Sequence, residues 1–134
     1  MYPIRGPHRS GLLPVSDFHQ IYWEESGNPD GWLPVIFLHG GSGAGASPAC
    51  RGFFNPGVYR LVIIDQRGCG RSLPYACVEE NTTWDLVADI EAVRTMLCSE
   101  KWLVFGRLMG QHFGFNLCAN PLIGVARHFS VQAV

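Results

Sequence analysis

Val35-Ile36-Phe37-Leu38-His39-Gly40-Gly41-Ser42-Gly43 runs four apolar residues directly into a glycine-rich turn. A short continuous apolar run bounded by turn residues reads as a strand buried on both faces, the kind a parallel sheet requires. The glycines leave backbone N–H groups open to approach, so this loop can supply half of an oxyanion hole. The pattern recurs where Leu61-Val62-Ile63-Ile64 runs into Asp65-Gln66-Arg67-Gly68-Cys69-Gly70-Arg71-Ser72. Both loops are expected at one carboxyl-terminal edge of a parallel sheet, where α/β proteins place their sites.

Working outward, Leu12 to Val15 and Ile21 to Glu24 read as two short antiparallel strands joined by a polar turn near Asp17. Asn28-Pro29-Asp30-Gly31 reads as a turn before the first buried strand. Residues 47 to 59 contain Pro48, Gly52, Pro56 and Gly57, so any helix there is short. The strong helix runs from Trp84 to Leu97, because Leu86, Ile90, Val93 and Leu97 repeat at helical spacing. Thr82 followed by Asp85 resembles a capping box at its start. Trp102 to Phe105 is then predicted as a buried strand of the same sheet. It leads into Gly106-Arg107-Leu108-Met109-Gly110, a glycine-bracketed turn. A nucleophile is expected in the middle of such a turn, and leucine stands there.

Tyr22-Trp23-Glu24, Gly27-Asn28-Pro29, Phe37 to Gly43, Asp65 to Ser72, Asn81-Thr82-Thr83-Trp84, Leu86 to Glu91 and Trp102 to Gly106 together carry a family resemblance. On them the chain resembles the proline iminopeptidases, α/β-hydrolase serine peptidases that release an amino-terminal proline. The resemblance covers most of residues 2 to 106. It implies an incomplete α/β-hydrolase fold: amino-terminal antiparallel strands leading into a parallel sheet, without the cap domain and carboxyl-terminal strands. Residues 1–106 would be the amino-terminal half of the domain and 107–134 a divergent, poorly structured tail. The implied substrate is a peptide with an amino-terminal proline, and no cofactor or metal is implied. The family groups that hold the substrate's free amino terminus belong to the part without a counterpart here.

The resemblance also implies roles. His39, Gly40, Gly41, Ser42 and Gly43 form the oxyanion loop, with Ser42 where the family usually has proline. Asp65, Gln66, Arg67, Gly68, Cys69 and Gly70 form a supporting loop beneath the site. The family elbow reads Gly-Gly-Ser-Trp-Gly, so Leu108 occupies the nucleophile position, with Gly106, Met109 and Gly110 as the elbow remnant. A hydrocarbon side chain cannot attack a carbonyl. Residues 107 to 134 contain no Asp or Glu, so His112 and His128 follow without the acid that precedes the histidine in this fold. No catalytic residue is therefore expected to be intact, and the chain as written is expected to be inactive.

Arg107 to Gln111 can be encoded CGG CTC ATG GGG CAG, which one base later reads Gly-Ser-Trp-Gly, the missing elbow. Permitted codons for His112 to Asn120 continue the shifted frame into a sequence resembling the family's next helix. The reading frame is therefore expected to slip near Gly106.

Composition bounds the remaining classes. With 47% hydrophobic and 16% charged residues, the 134-residue chain has ordinary globular composition. The net charge of -1 without a basic cluster argues against nucleic acid or an anionic membrane as partner. No apolar run approaches the ~20 residues of a membrane span, and the start lacks the apolar core of a signal peptide. Cys50, Cys69, Cys77, Cys98 and Cys118 form no CxxC pair and leave one over in any disulfide scheme, so a reduced, cytoplasmic protein is expected.

Plainer readings stand beside the functional ones. His39 can simply order its loop, Asp65 and Arg67 can pair with each other or with backbone, and Trp84 and Trp102 read as core. Cys69 as a nucleophile would need a positioned base. Gly41-Ser42-Gly43-Ala44-Gly45-Ala46 with Asp65 downstream fits a dinucleotide fingerprint, but Pro48, Gly52 and Pro56 interrupt the helix that motif requires. A third class is a noncatalytic interaction fragment whose last apolar strand lacks a neighbour.

Overall fold

The computed structural model describes residues 2–31, 34–39, 45–99 and 102–106. Five strands form one mixed sheet: β1 (Arg9–Pro14), β2 (Gln20–Gly27), β3 (Pro34–Leu38), β4 (Arg60–Ile64) and β5 (Leu103–Gly106). Their order is β1-β2-β4-β3-β5. The hairpin β1–β2 is antiparallel, β2 joins β4 antiparallel, and β3 lies parallel to both β4 and β5. This matches the expected antiparallel entry into a parallel sheet.

Alternation along the central strands divides two cores. Ile36, Leu38, Val62, Ile64, Trp102 and Val104 face helix α1 (Thr83–Met96), which contributes Leu86, Val87, Ile90 and Val93, with Leu97 just beyond its end. Val35, Phe37, Leu61 and Ile63 face the other way, against Phe54, Tyr59, Leu103 and Phe105. A strand with both faces covered needs apolar residues at every position, which is why β3 and β4 read as unbroken runs. A 3-10 helix, Pro48–Phe53, occupies the proline-interrupted segment, capped by Ser47.

Helix α1 begins as its spacing predicts. Thr82 accepts the Asp85 N–H and the Asp85 carboxylate accepts the Thr82 N–H, a reciprocal capping box. The Asn28 turn also forms, with the Gly31 N–H donating to the Asn28 carbonyl. One expectation is overturned: Trp84 is 64% exposed, because it lies in the first turn on the face of α1 away from the sheet. Trp102 is fully buried, as expected. Cys50, Cys69, Cys77 and Cys98 are free thiols. Among the described residues no helix is long and apolar enough to cross a membrane.

Candidate functional site

Parallel pairing brings three strand ends to one edge. Leu38 is in register with Ile64 on one side and with Gly106 on the other. His39 and Asp65 therefore emerge as neighbours, beside the point where β5 ends. Gly40, Gly41, Ser42, Gly43, Leu108, Met109 and Gly110 lie outside the described residues.

His39 is 4% exposed. Its Nε2 accepts the Gln66 backbone N–H at 3.0 Å, and the Gln66 side-chain Nε2 donates to the His39 carbonyl at 2.8 Å. The imidazole thus holds the neighbouring loop at Gln66. A ring accepting at Nε2 carries its proton on Nδ1, which is buried and has no partner among the described residues. Burial pushes the His39 pKa down, against a weaker pull upward from the Asp65 carboxylate.

Asp65 is fully buried. Its Oδ1 accepts the Ala46 N–H at 2.8 Å, and its Oδ2 accepts the Arg71 backbone N–H at 3.0 Å and the Arg71 Nε–H at 2.9 Å. The Ser72 hydroxyl donates to the Asp65 carbonyl. Gly45 (φ +76°) and Gly70 (φ +51°) pack on the carboxylate from two loops. A Cβ on Gly45 would stand 2.9 Å from Asp65 Cγ, and one on Gly70 only 2.5 Å from Oδ2. Both positions need glycine for its left-handed backbone and for its missing side chain.

Asp65 and Arg67 do not pair with each other, which corrects one of the two arrangements expected from sequence. Arg67, 6% exposed, makes a bidentate pair with Asp89 of α1 at 2.7 and 2.8 Å and donates to the Glu80 carbonyl at 2.6 Å. Its pKa is raised, first of all by Asp89. Arg67 therefore fastens the loop to the helix. Gly68 (φ +74°) packs against the Cys77 backbone, and the Cys69 N–H closes a turn onto the Gln66 carbonyl.

Sequence reasoning missed the ion pairs behind this edge. Glu24 is 1% exposed and accepts two bonds from Arg51 at 2.7 and 2.9 Å, one from the Tyr22 hydroxyl at 3.0 Å and one from Arg71 at 3.3 Å. Arg71 lies 3.7 Å from the centre of the Tyr22 ring, a cation–π stack. Burial pushes the Glu24 carboxyl upward, but Arg51, with Tyr22 and Arg71, outweighs it and holds the pKa below the ordinary value. Glu25 accepts from His8, Arg9 and Arg60. Against the upward push of burial, Arg60, His8 and Arg9 bring its pKa to about 2. The available signal was two consecutive acids at the end of a predicted strand, Glu24 as its last residue and Glu25 just beyond it, where burial demands cationic partners.

The structure also answers the dinucleotide alternative. No helix opens at Gly45 to Ser47, the segment that follows is a 3-10 helix, and the Asp65 carboxylate is already occupied by backbone and Arg71. Among the described residues no group of three or more His, Cys, Asp or Glu could hold a metal ion.

Residues 34–120 match the family described as alpha/beta hydrolase fold. Over 110 residues, 82% of this chain, the sequence is 76% identical to the proline iminopeptidase of Neisseria meningitidis serogroup A, covering 35% of that protein. It is 60% identical to the Arabidopsis thaliana proline iminopeptidase over 110 residues, 82% of this chain and 29% of that one. The crystal structure of the Mycobacterium smegmatis proline iminopeptidase superposes with a TM-score of 0.69 at 28% identity, over 87% of this chain and 41% of the other. The chain thus spans about a third of the length of these curated relatives.

Proposed function

The chain belongs to the α/β hydrolase fold family, and on that premise we propose that it is the amino-terminal portion of a serine aminopeptidase releasing proline from peptides, in a form that has lost its nucleophile. The observation that carries this reading is 76% identity to a proline iminopeptidase in a chain with Leu108 at the elbow position. Residues 1–106 are the family portion and 107–134 a frame-shifted tail. The unpaired cysteines support a reducing, cytoplasmic setting.

In the intact reaction a serine in place of Leu108 attacks the carbonyl of the amino-terminal proline. A histidine takes the serine's proton and passes it to the leaving amine, an aspartate orients that histidine, and backbone N–H groups hold the oxyanion. Of these parts the present chain keeps the oxyanion loop from His39 to Gly43 and the scaffold beneath it. Leucine offers neither a lone pair to attack with nor a proton for a base to remove.

The test has two arms. The purified 134-residue chain is assayed with a chromogenic proline amide, and the coding DNA is resequenced from codon 104 onward. No turnover is expected from the chain, while removal of one base near codon 106 should open a frame through Gly-Gly-Ser-Trp-Gly whose product releases proline. Turnover by the 134-residue chain itself refutes the loss of the nucleophile, and an inactive frame-restored product refutes the assigned activity.

A further inference from the structure

We infer that the cleft beside the carboxyl-terminal end of β2 is a binding site for a small tetrahedral oxyanion of the phosphate class. Ser26 of β2, Arg51 of the 3-10 helix, Asn55 just after it and Arg5 of the amino-terminal segment supply its polar wall. Gly27, also on the wall, is in register with Arg60, where β4 begins, while Asp65 follows the far end of β4. The cleft therefore lies at the opposite sheet edge from His39 and Asp65, and the inference does not depend on the peptidase reading.

Each of the four polar side chains has a donor left over. Arg51 commits Nε and Nη2 to Glu24, so its Nη1 has no partner among the described residues. Asn55 accepts the Gly57 N–H through Oδ1 at 2.9 Å, which leaves its amide NH2 without one. Ser26 is only 3% exposed, yet its hydroxyl makes no hydrogen bond among the described residues. A hydroxyl buried in this way costs free energy until something bonds to it. Arg5 makes neither a hydrogen bond nor an ion pair among the described residues. Its segment is nonetheless held on both sides, the Tyr2 N–H donating to the Gly52 carbonyl and the His8 N–H to the Glu25 carbonyl. Among the described residues no Asp or Glu lines the cleft, and Glu24, behind Arg51, is already shared with Tyr22 and Arg71. Two guanidinium groups without a carboxylate favour an anion, and their planar forks suit phosphate oxygens. Four donors at separate positions can each meet one oxygen of a tetrahedral ion, whereas a carboxylate offers only two. The space is about 240 Å³, part of it open solvent, below the roughly 300–1,000 Å³ of clefts that take drug-sized ligands, so the occupant is small.

The experiment titrates the 134-residue chain with inorganic phosphate at pH 7.5, followed by NMR, with sodium chloride holding ionic strength constant so that general screening does not change. The Asn55 side-chain amide, the Arg51 Nε–H and the Ser26 backbone N–H are expected to shift together and saturate with a dissociation constant on the order of 1 mM. Arg5→Ala, at an exposed position that leaves the fold intact, should weaken binding about tenfold, the loss of one charge-assisted bond. Ser26→Ala should weaken it about fivefold, the loss of one neutral bond. Acetate titrated in the same way should bind at least about tenfold more weakly than phosphate, for want of two oxygens. Several results overturn the inference: no saturation by about 20 mM phosphate, shifts no larger at these groups than at the exposed Arg9, or an affinity unchanged by Arg5→Ala. Acetate binding as tightly as phosphate overturns the tetrahedral assignment.

Discussion

Replacing Gly70 with alanine tests whether two loops truly close on the Asp65 carboxylate. The backbone at Gly70 is left-handed, with φ +51°, a conformation that costs an alanine about 1–2 kcal/mol. The added Cβ would also lie 2.5 Å from Asp65 Oδ2, closer than real carbon–oxygen contacts allow. The carboxylate cannot retreat freely, because Ala46 N–H, Arg71 N–H and Arg71 Nε–H all hold it. Moving it away forfeits charge-assisted bonds worth about 1.5–3 kcal/mol. Together these give a destabilisation of about 3–5 kcal/mol, a large part of the stability of an ordinary domain. Urea unfolding followed by tryptophan fluorescence measures it. Gly6→Ala is the control, since nothing lies within 4 Å of its Cβ, and it should stay within about 0.5 kcal/mol of the parent. A Gly70→Ala protein within about 1 kcal/mol of the parent would refute the packing of Gly70 against a fixed carboxylate.

Three further outcomes are expected. Leu108→Ser in the 134-residue chain should not produce release of proline from a proline amide, because residues 109 to 134 contain no Asp or Glu to orient a histidine; measurable release contradicts the triad argument. Glu25 has a folded pKa of about 2 against 4.5 in the open, so its stabilisation is complete above pH 4.5 and is lost as pH falls toward 2. The shift corresponds to about 3 kcal/mol, which exposure of Arg9 and His8 to solvent reduces to about 2 kcal/mol. A carboxyl titration by NMR with a midpoint near 4.5 would disprove it. Ile90→Ala, at a fully buried position between α1 and the sheet, should cost about 3 kcal/mol in urea unfolding, and a cost under about 1 kcal/mol would mean that the helix does not pack there.

Much of the fold was legible because burial on two faces leaves little freedom of composition. Val35 to Leu38 and Leu61 to Ile64 could only be strands inside the molecule, and the period of Leu86, Ile90, Val93 and Leu97 marked the helix face. Trp84 was misread because a large aromatic beside a capping box looks like core, whereas its exposure depends on which side of the first turn it occupies. The site was less legible. Asp65 and Arg67 are two positions apart and of opposite charge, yet the sheet turns one toward Ala46 and Arg71 and the other toward Asp89. Such partners are chosen by strand order, which brings residues 24, 46, 51, 65 and 71 together from four segments, and no local pattern encodes that.

Glu24 and Glu25 also act as a threading key for β2. Successive strand residues point to opposite faces, so Glu24 meets Arg51 and Arg71 on one side while Glu25 meets Arg60 on the side of α1. If β2 slid by one residue, Trp23 would arrive opposite Arg51 or Ser26 opposite Arg60, and one group of cations would lose its carboxylate. Arg51 and Arg60 are only 12% and 16% exposed, so either one left without its anion destabilises the slipped alignment. Two adjacent acids thus favour a single alignment of β2 against β4 and the two loops that carry Arg51 and Arg71.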